Sequence, residues 1–313
     1  MGFVKRRVAT AGSVHYDRSQ VFAAGLILLS ALCFSAKAVM IKLAYRYEVD
    51  SISLLALRMM FALPFFLFVI WRTRSKGDPV LRARFGELVP VFMFGLLGYY
   101  FASLYDFMGL QYITASLERL ILFLYPTIVL LITALLFGKK ISRAQVIALF
   151  LTYAGIALAF LDGRQVLQGS HIAYGGFLIF LSALTYALYM VGASILLPRF
   201  GSMRYTALAV SAGCVAILIH HGIAYRWALW HFRPEVYVLC LLMALFSTVL
   251  PVFLVSEGIR RIGASNAAII SSIGPISTIV LGYWLLGESF GVWQLAGTLV
   301  VSAGVAYISL AKS

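Results

Sequence analysis

Charge is what this chain has least of. Only 12% of its 313 residues are charged, about half the share of a soluble domain, and acids are the rarer sign, with 11 Asp and Glu against 25 Lys and Arg. Cysteine is nearly absent too. Cys33, Cys214 and Cys240 are an odd number lying in apolar runs, which excludes a disulfide scaffold and points to unpaired thiols. The five histidines (His15, His171, His220, His221 and His231) fall at or beyond the ends of apolar runs, which argues against a metal centre in the interior. Soluble-enzyme motifs are missing as well. Gly138-Lys139 lacks the earlier glycine of a phosphate loop, because position 133 is Thr. Gly263-Ala264-Ser265-Asn266-Ala267 lacks the closing glycine of a nucleophile elbow. No cofactor and no metal are expected.

What the chain has in abundance is apolar surface. Hydrophobic residues make up 62% of it. At about 20 apolar residues per transmembrane helix, that is material for roughly nine or ten spans. Runs broken by charged or turn residues give ten candidate helices: 21–44, 51–71, 88–108, 112–136, 143–161, 174–197, 204–221, 235–256, 263–286 and 291–310. The longer connections, 72–87 and 222–234, leave no room for a soluble domain. The expected organisation is a basic tail over 1–20 followed by helical units over 21–161 and 174–310. Lys5-Arg6-Arg7 and Ala36-Lys37-Ala38 have the form of a signal peptide and its cleavage site, but the apolar run continues to Ala44, so the first span is read as retained.

The basic excess is distributed unevenly. If the N-terminus is cytoplasmic, 17 of the Lys and Arg residues fall on the cytoplasmic side, against Arg46, Arg164, Arg226 and Arg233 outside. This positive-inside bias places both termini in the cytoplasm and explains a pI near 9.9 without any nucleic acid. Tyr225, Trp227 and Trp230 read as an interfacial aromatic belt. The expected location is the cell (inner) membrane.

A shift of 149 residues lays the fourth and fifth spans on the ninth and tenth without a gap. Ala115-Ser116 meets Ala264-Ser265, Pro126 meets Pro275, Gly138 meets Gly287, Gln145 meets Gln294 and Gly155 meets Gly304. A shift of 152 pairs Leu29-Ser30-Ala31-Leu32 with Leu181-Ser182-Ala183-Leu184. Two copies of a five-helix unit are thereby expected, and because five is odd the second copy is inverted, as in many secondary transporters. Pro126 and Pro275 sit about halfway along their spans, where proline removes a backbone donor and opens the helix, either as a packing kink or as part of a binding site.

The stretch from Arg261-Ile262-Gly263-Ala264-Ser265-Asn266-Ala267-Ala268 through Pro275, Leu285-Leu286-Gly287-Glu288 and Gln294 to Gly304 resembles the EamA-type repeat of the drug/metabolite transporter superfamily. The resemblance covers nearly the whole chain. It implies an all-α membrane protein of ten helices forming a basket around a central cavity, with the fifth and tenth peripheral. It also implies ATP-independent transport of a small organic metabolite by alternating access. The first copy carries Gly138-Lys139-Lys140 where the second has Gly287-Glu288, which weakens any role for an acid in that connection.

Ionisable residues inside a bilayer are functional candidates. Lys37, Arg58 and Arg119 each lie about seven residues from the outer end of their spans, roughly 10 Å deep, with Glu118 beside Arg119 and Asp106 shallower. Arg58 and Arg119 suit a substrate carboxylate or phosphate, because a guanidinium presents two parallel donors, and Lys37 adds a second positive point. A structural salt-bridge network, with Glu118 paired to Lys37 or Arg58, is the competing reading. Polar and aromatic stripes add Tyr99, Tyr125, Tyr186, Tyr189 and Asn266 as lining candidates, although such stripes also serve interhelical hydrogen bonding. Glu118 is the candidate for proton coupling, since burial and nearby cations act in opposite senses on a carboxylate.

The function read from these residues is secondary transport of an amino acid or organic anion, with export as one direction and proton coupling or exchange as the two modes, by a monomer or homodimer in the lipid bilayer. An intramembrane enzyme acting on lipids would want a catalytic His, a metal cluster or paired acids, and a scaffold would not need symmetric helix breaks. Reporter fusions at Lys312, Gly77 and Arg226 should read inside, inside and outside; an outside signal at Gly77 contradicts the orientation.

Overall fold

In hydrocarbon a backbone must satisfy its own N–H and C=O groups, so long apolar runs become helices. The computed structural model describes residues 18–73, 85–138, 143–162, 171–254, 257, 274–288 and 291–311, and among these there is no strand. The helices are α1 (Arg18–Tyr45), α2 (Ser51–Arg72), α3 (Phe85–Gly95), α4 (Ala102–Gly109), α5 (Ala115–Leu122), α6 (Tyr125–Phe137), α7 (Arg143–Asp162), α8 (Ile172–Phe200), α9 (Ser202–Tyr225), α10 (Pro234–Ala244), α11 (Gly274–Leu281) and α12 (Val292–Ala311). A π-helical turn, Leu96–Phe101, joins α3 to α4; a second, Leu245–Val249, extends α10; a third, Gly282–Leu286, extends α11. Among the described residues, seven stretches are long and apolar enough to cross a membrane: Val21–Tyr45, Ser51–Arg72, Gly86–Gly109, Ala115–Leu136, Ile172–Ala193, Met203–Tyr225 and Pro234–Leu254.

Caps fix where helices begin. The Asp50 carboxylate accepts from the N–H of Ile52 at 3.0 Å and of Ser53 at 2.9 Å, starting α2. Thr114 Oγ1 accepts from Leu117 N at 3.2 Å and starts α5. The expected span 112–136 is not one helix. It is interrupted at Phe123–Leu124, and Pro126 enters at the first turn of α6, where its missing N–H costs nothing. α9 runs to Tyr225, past its expected end at 221, so His220 and His221 lie within it. His221 is buried, its Nε2 3.0 Å from Ser53 Oγ.

Polar contacts group the helix ends on two faces. Arg46 donates to Leu286 O at 3.1 Å and Lys42 to Leu110 O at 3.0 Å, gathering the 46–50, 110–114 and 287–288 connections on one face, here called distal. Arg204 donates to Thr73 O at 3.0 Å and Arg199 pairs with Glu87, gathering the opposite, proximal ends. Between them the largest apolar core joins α1, α2, α4, α9 and α10, with Phe66, Phe107, Leu54 and Met59 fully enclosed.

Some backbone features recur at an offset of 149 residues. The first two π turns start at Leu96 and Leu245, and Gly138 and Gly287 both adopt the left-handed conformation with φ of 62° and 71°. The third π turn has no counterpart, since α6 stays α-helical to Phe137.

α7 and α12 lie along each other. A Cβ at Gly155 would come 2.5 Å from Gly297 O and 2.7 Å from Val301 Cγ2, so the backbones meet through small residues. Gly155→Ala should therefore destabilise the protein by about 1–3 kcal/mol, read as a lower thermal midpoint in detergent; an unchanged midpoint contradicts this seam.

Candidate functional site

Three helices bring their charges to one point. α1 carries Lys37, α4 carries Asp106 and α5 carries Glu118. Lys37 Nζ lies 2.7 Å from Asp106 Oδ2 and 3.6 Å from Glu118 Oε1. Glu118 is 0% exposed and Asp106 is 2% exposed, so one lysine serves two acids in the interior. The two carboxyl groups also face each other. As carboxylates neither can donate to the other, and Asp106 Oδ1 and both Glu118 oxygens lack a hydrogen-bond donor. Such a group is costly to bury, and a proton or a donor-bearing ligand would relieve it.

Arg119 turns away from its neighbour because adjacent helical side chains diverge by about 100°. Its Nη2 donates to Phe34 O at 2.6 Å and its Nε to Thr278 Oγ1 at 3.2 Å, linking α5 to α1 and α11. Arg58 does not join Glu118. Its Nε and Nη2 donate to Thr248 Oγ1 at 3.0 and 2.8 Å, and its guanidinium lies 5.4 Å from the centre of the Phe107 ring. Thr248 reaches Arg58 from the second π turn, where its hydroxyl donates to Met243 O at 3.1 Å, five residues back. Sequence periodicity alone could not have found Thr248, because a π turn displaces every following side chain.

The tyrosines form a second layer. Tyr99 and Tyr189 share a hydroxyl contact of 3.1 Å with ring centres 5.0 Å apart. Tyr186 continues the chain to Tyr125 at 5.2 Å and to Tyr189 at 5.7 Å. Tyr205, which the sequence reading passed over, stacks on Tyr189 at 6.1 Å and is fully buried. Tyr99 precedes Asp106 by seven residues and Tyr125 follows Glu118 by seven, so this aromatic layer lies roughly 10 Å proximal to the charges. The candidate Asn266 lies outside the described residues. Pro275 lies within α11, whose preceding residues are outside the described ones.

A cleft of about 570 Å³ opens between α1, α10 and α11, walled by apolar side chains such as Leu32, Met40, Phe246 and Val280. None of the charged or tyrosine candidates lines it. The acids and arginines are instead enclosed by packed helices.

The model of the EamA-like transporter family matches residues 21–161 and again 173–310. The chain is 32% identical to the uncharacterized transporter YcbK of Bacillus subtilis (strain 168), over 98% of this chain and 96% of that protein. It is 22% identical to an uncharacterized transporter of Archaeoglobus fulgidus, over 92% of this chain and 96% of that one. A solved crystal structure superposes with a TM-score of 0.66 at 18% identity, covering 93% of this chain and 97% of the other, a likeness of fold.

The shared lysine gives the site a stability signature. Lys37→Met leaves two acids without their cation and should cost about 3–5 kcal/mol. Adding Asp106→Asn to Lys37→Met should recover much of that loss, because fewer buried charges stay unpaired. Thermal unfolding in detergent reads both variants; equal midpoints for the single and double variants contradict the shared-cation arrangement.

Proposed function

The chain belongs to the EamA-like transporter family, and from that premise we propose that this membrane transporter is a secondary transporter that moves a small amino acid or organic anion by alternating access. In this reading ten spans form two inverted five-helix repeats, the proximal face is cytoplasmic, and the protein sits in the cell (inner) membrane. The 149-residue recurrence of π turns and left-handed glycines supports the repeat, and the Lys and Arg distribution supports the orientation.

The observation that carries the proposal is the Lys37–Asp106–Glu118 cluster enclosed among apolar helices. Charges so placed are expensive, and in membrane proteins they mark substrate or ion pathways. Arg58 and Arg119 are held by neutral oxygens, and a substrate carboxylate is a stronger partner for a guanidinium than a threonine hydroxyl. A substrate anion can therefore displace Thr248 or Thr278. The tyrosines Tyr99, Tyr125, Tyr186 and Tyr189 then offer an amphipathic wall for the rest of the molecule.

Glu118 is the coupling group in this scheme. Facing Asp106, it gains a hydrogen bond on taking a proton; facing Lys37 alone, it is better ionised. A conformational change that alters this company would take up a proton in one state and release it in the other.

Proteoliposomes test both parts. Arg119→Ala should lower the apparent affinity for a transported anion about 10- to 150-fold while the protein still inserts and folds. Glu118→Gln should abolish the response to an imposed pH gradient yet preserve substrate exchange. Wild-type transport that ignores a pH gradient contradicts the coupling role, and loss of folded protein on Arg119→Ala assigns Arg119 a structural one.

A further inference from the structure

α5 is only eight residues long, yet it carries both Glu118 and Arg119. A helix start leaves its first N–H groups without intrahelical partners. In α5, Thr114 Oγ1 satisfies only that of Leu117. The other two are taken by Glu288, which follows α11 in the second half of the chain. Its Oε1 accepts from Ala115 N at 2.9 Å, and its Oε2 accepts from Ser116 N at 3.4 Å and from Ser116 Oγ at 3.0 Å. A carboxylate at this position also meets the positive end of the helix dipole.

The backbone around Glu288 is shaped for this contact. The unmatched π turn Gly282–Leu286 and the left-handed Gly287 turn the chain towards α5, where Glu288 N donates to Gly282 O at 3.2 Å. A Cβ at Gly282 would stand 2.9 Å from Glu288 Oε2 and 3.4 Å from Ser116 Oγ. A second strand of contact runs beside it, from Arg46 to Leu286 O. At the 149 offset the sequence carries Lys139 in place of Glu288, a side chain with donors and no acceptor. The carboxylate therefore belongs to the distal end alone.

We propose that Glu288 is the distal latch of the transport cycle: a positioning residue that clamps α5 to the second half while the distal face is closed and releases it when that face opens. The inference rests on the alternating-access reading above. α11 also holds Arg119 through Thr278, so release at Glu288 loosens the distal end of the helix that brings Glu118 to the charge cluster. Separation exposes the Ala115 and Ser116 N–H groups to water, which replaces the carboxylate, so the latch is reversible.

The test uses the full chain in liposomes, with Cys33, Cys214 and Cys240 replaced by alanine. One reporter is Ala115→Cys, buried beneath the latch, and a control is Ala209→Cys, buried in α9 towards the proximal face. A membrane-impermeant sulfonated maleimide should label the Ala115→Cys reporter about tenfold faster once Glu288→Ala is added. Gly282→Ala, which displaces the carboxylate without removing it, should act in the same direction. The Ala209→Cys reporter should not accelerate. Unchanged labelling at Ala115→Cys in both variants, or acceleration of both reporters together, overturns the latch. The same vesicles are assayed for flux of a mixture of tritiated amino acids and of tritiated succinate. Flux with unresponsive labelling contradicts the latch alone. Responsive labelling without flux supports the latch and counts against the transport reading for these solutes.

Discussion

Everything at the centre of this protein turns on one lysine compensating two buried acids. Lys37 touches Asp106 and lies near Glu118, and without it α4 and α5 would each bring an unpaired negative charge into the same enclosed space. Surface ion pairs contribute little, but a buried one constrains strongly, because removing a partner leaves a charge that no solvent reaches. The approach of α1, α4 and α5 is thus set by charge as well as by packing. A second set of contacts, from Arg119 to Phe34 and Thr278, ties the same three-helix junction to α11.

The junction is built from interrupted helices. α5 ends after two turns, α3 and α4 meet at a π turn, and α10 and α11 run into π turns of their own. Each interruption loosens the hydrogen-bond ladder locally and redirects a side chain: Tyr99 and Tyr100 from the first, Ser247 and Thr248 from the second. Ser247 donates to Cys33 O at 3.0 Å and Thr248 receives Arg58, so the second π turn binds both α1 and α2. Long uninterrupted helices such as α2, α8 and α9 supply the scaffold around these breaks.

Much of this was legible in the sequence, and the limits have physical causes. Depth in the membrane was enough to bring Lys37, Asp106 and Glu118 into one layer, since helical rise converts sequence position into height. The tyrosines of α8 followed from three- and four-residue spacing. The partner of Arg58 did not, because a π turn breaks that spacing just before Thr248. Tyr205 was missed because it lies only three residues inside α9, where no stripe had yet formed. Glu288 was discounted because the first repeat has Lys139 at its place. That difference between repeats was instead a sign of asymmetry, and only the contact with Ala115 and Ser116 gave it meaning.

The central claim is that α5 moves against α11 between two discrete positions. Spin labels at Tyr112, in the connection before α5, and at Trp284, an exposed residue in the π turn after α11, report that distance directly by pulsed dipolar spectroscopy in liposomes. Two separate distance populations are predicted, the shorter matching the closed distal face. A single narrow distance, unchanged across bilayer composition and bulk pH, would contradict the account.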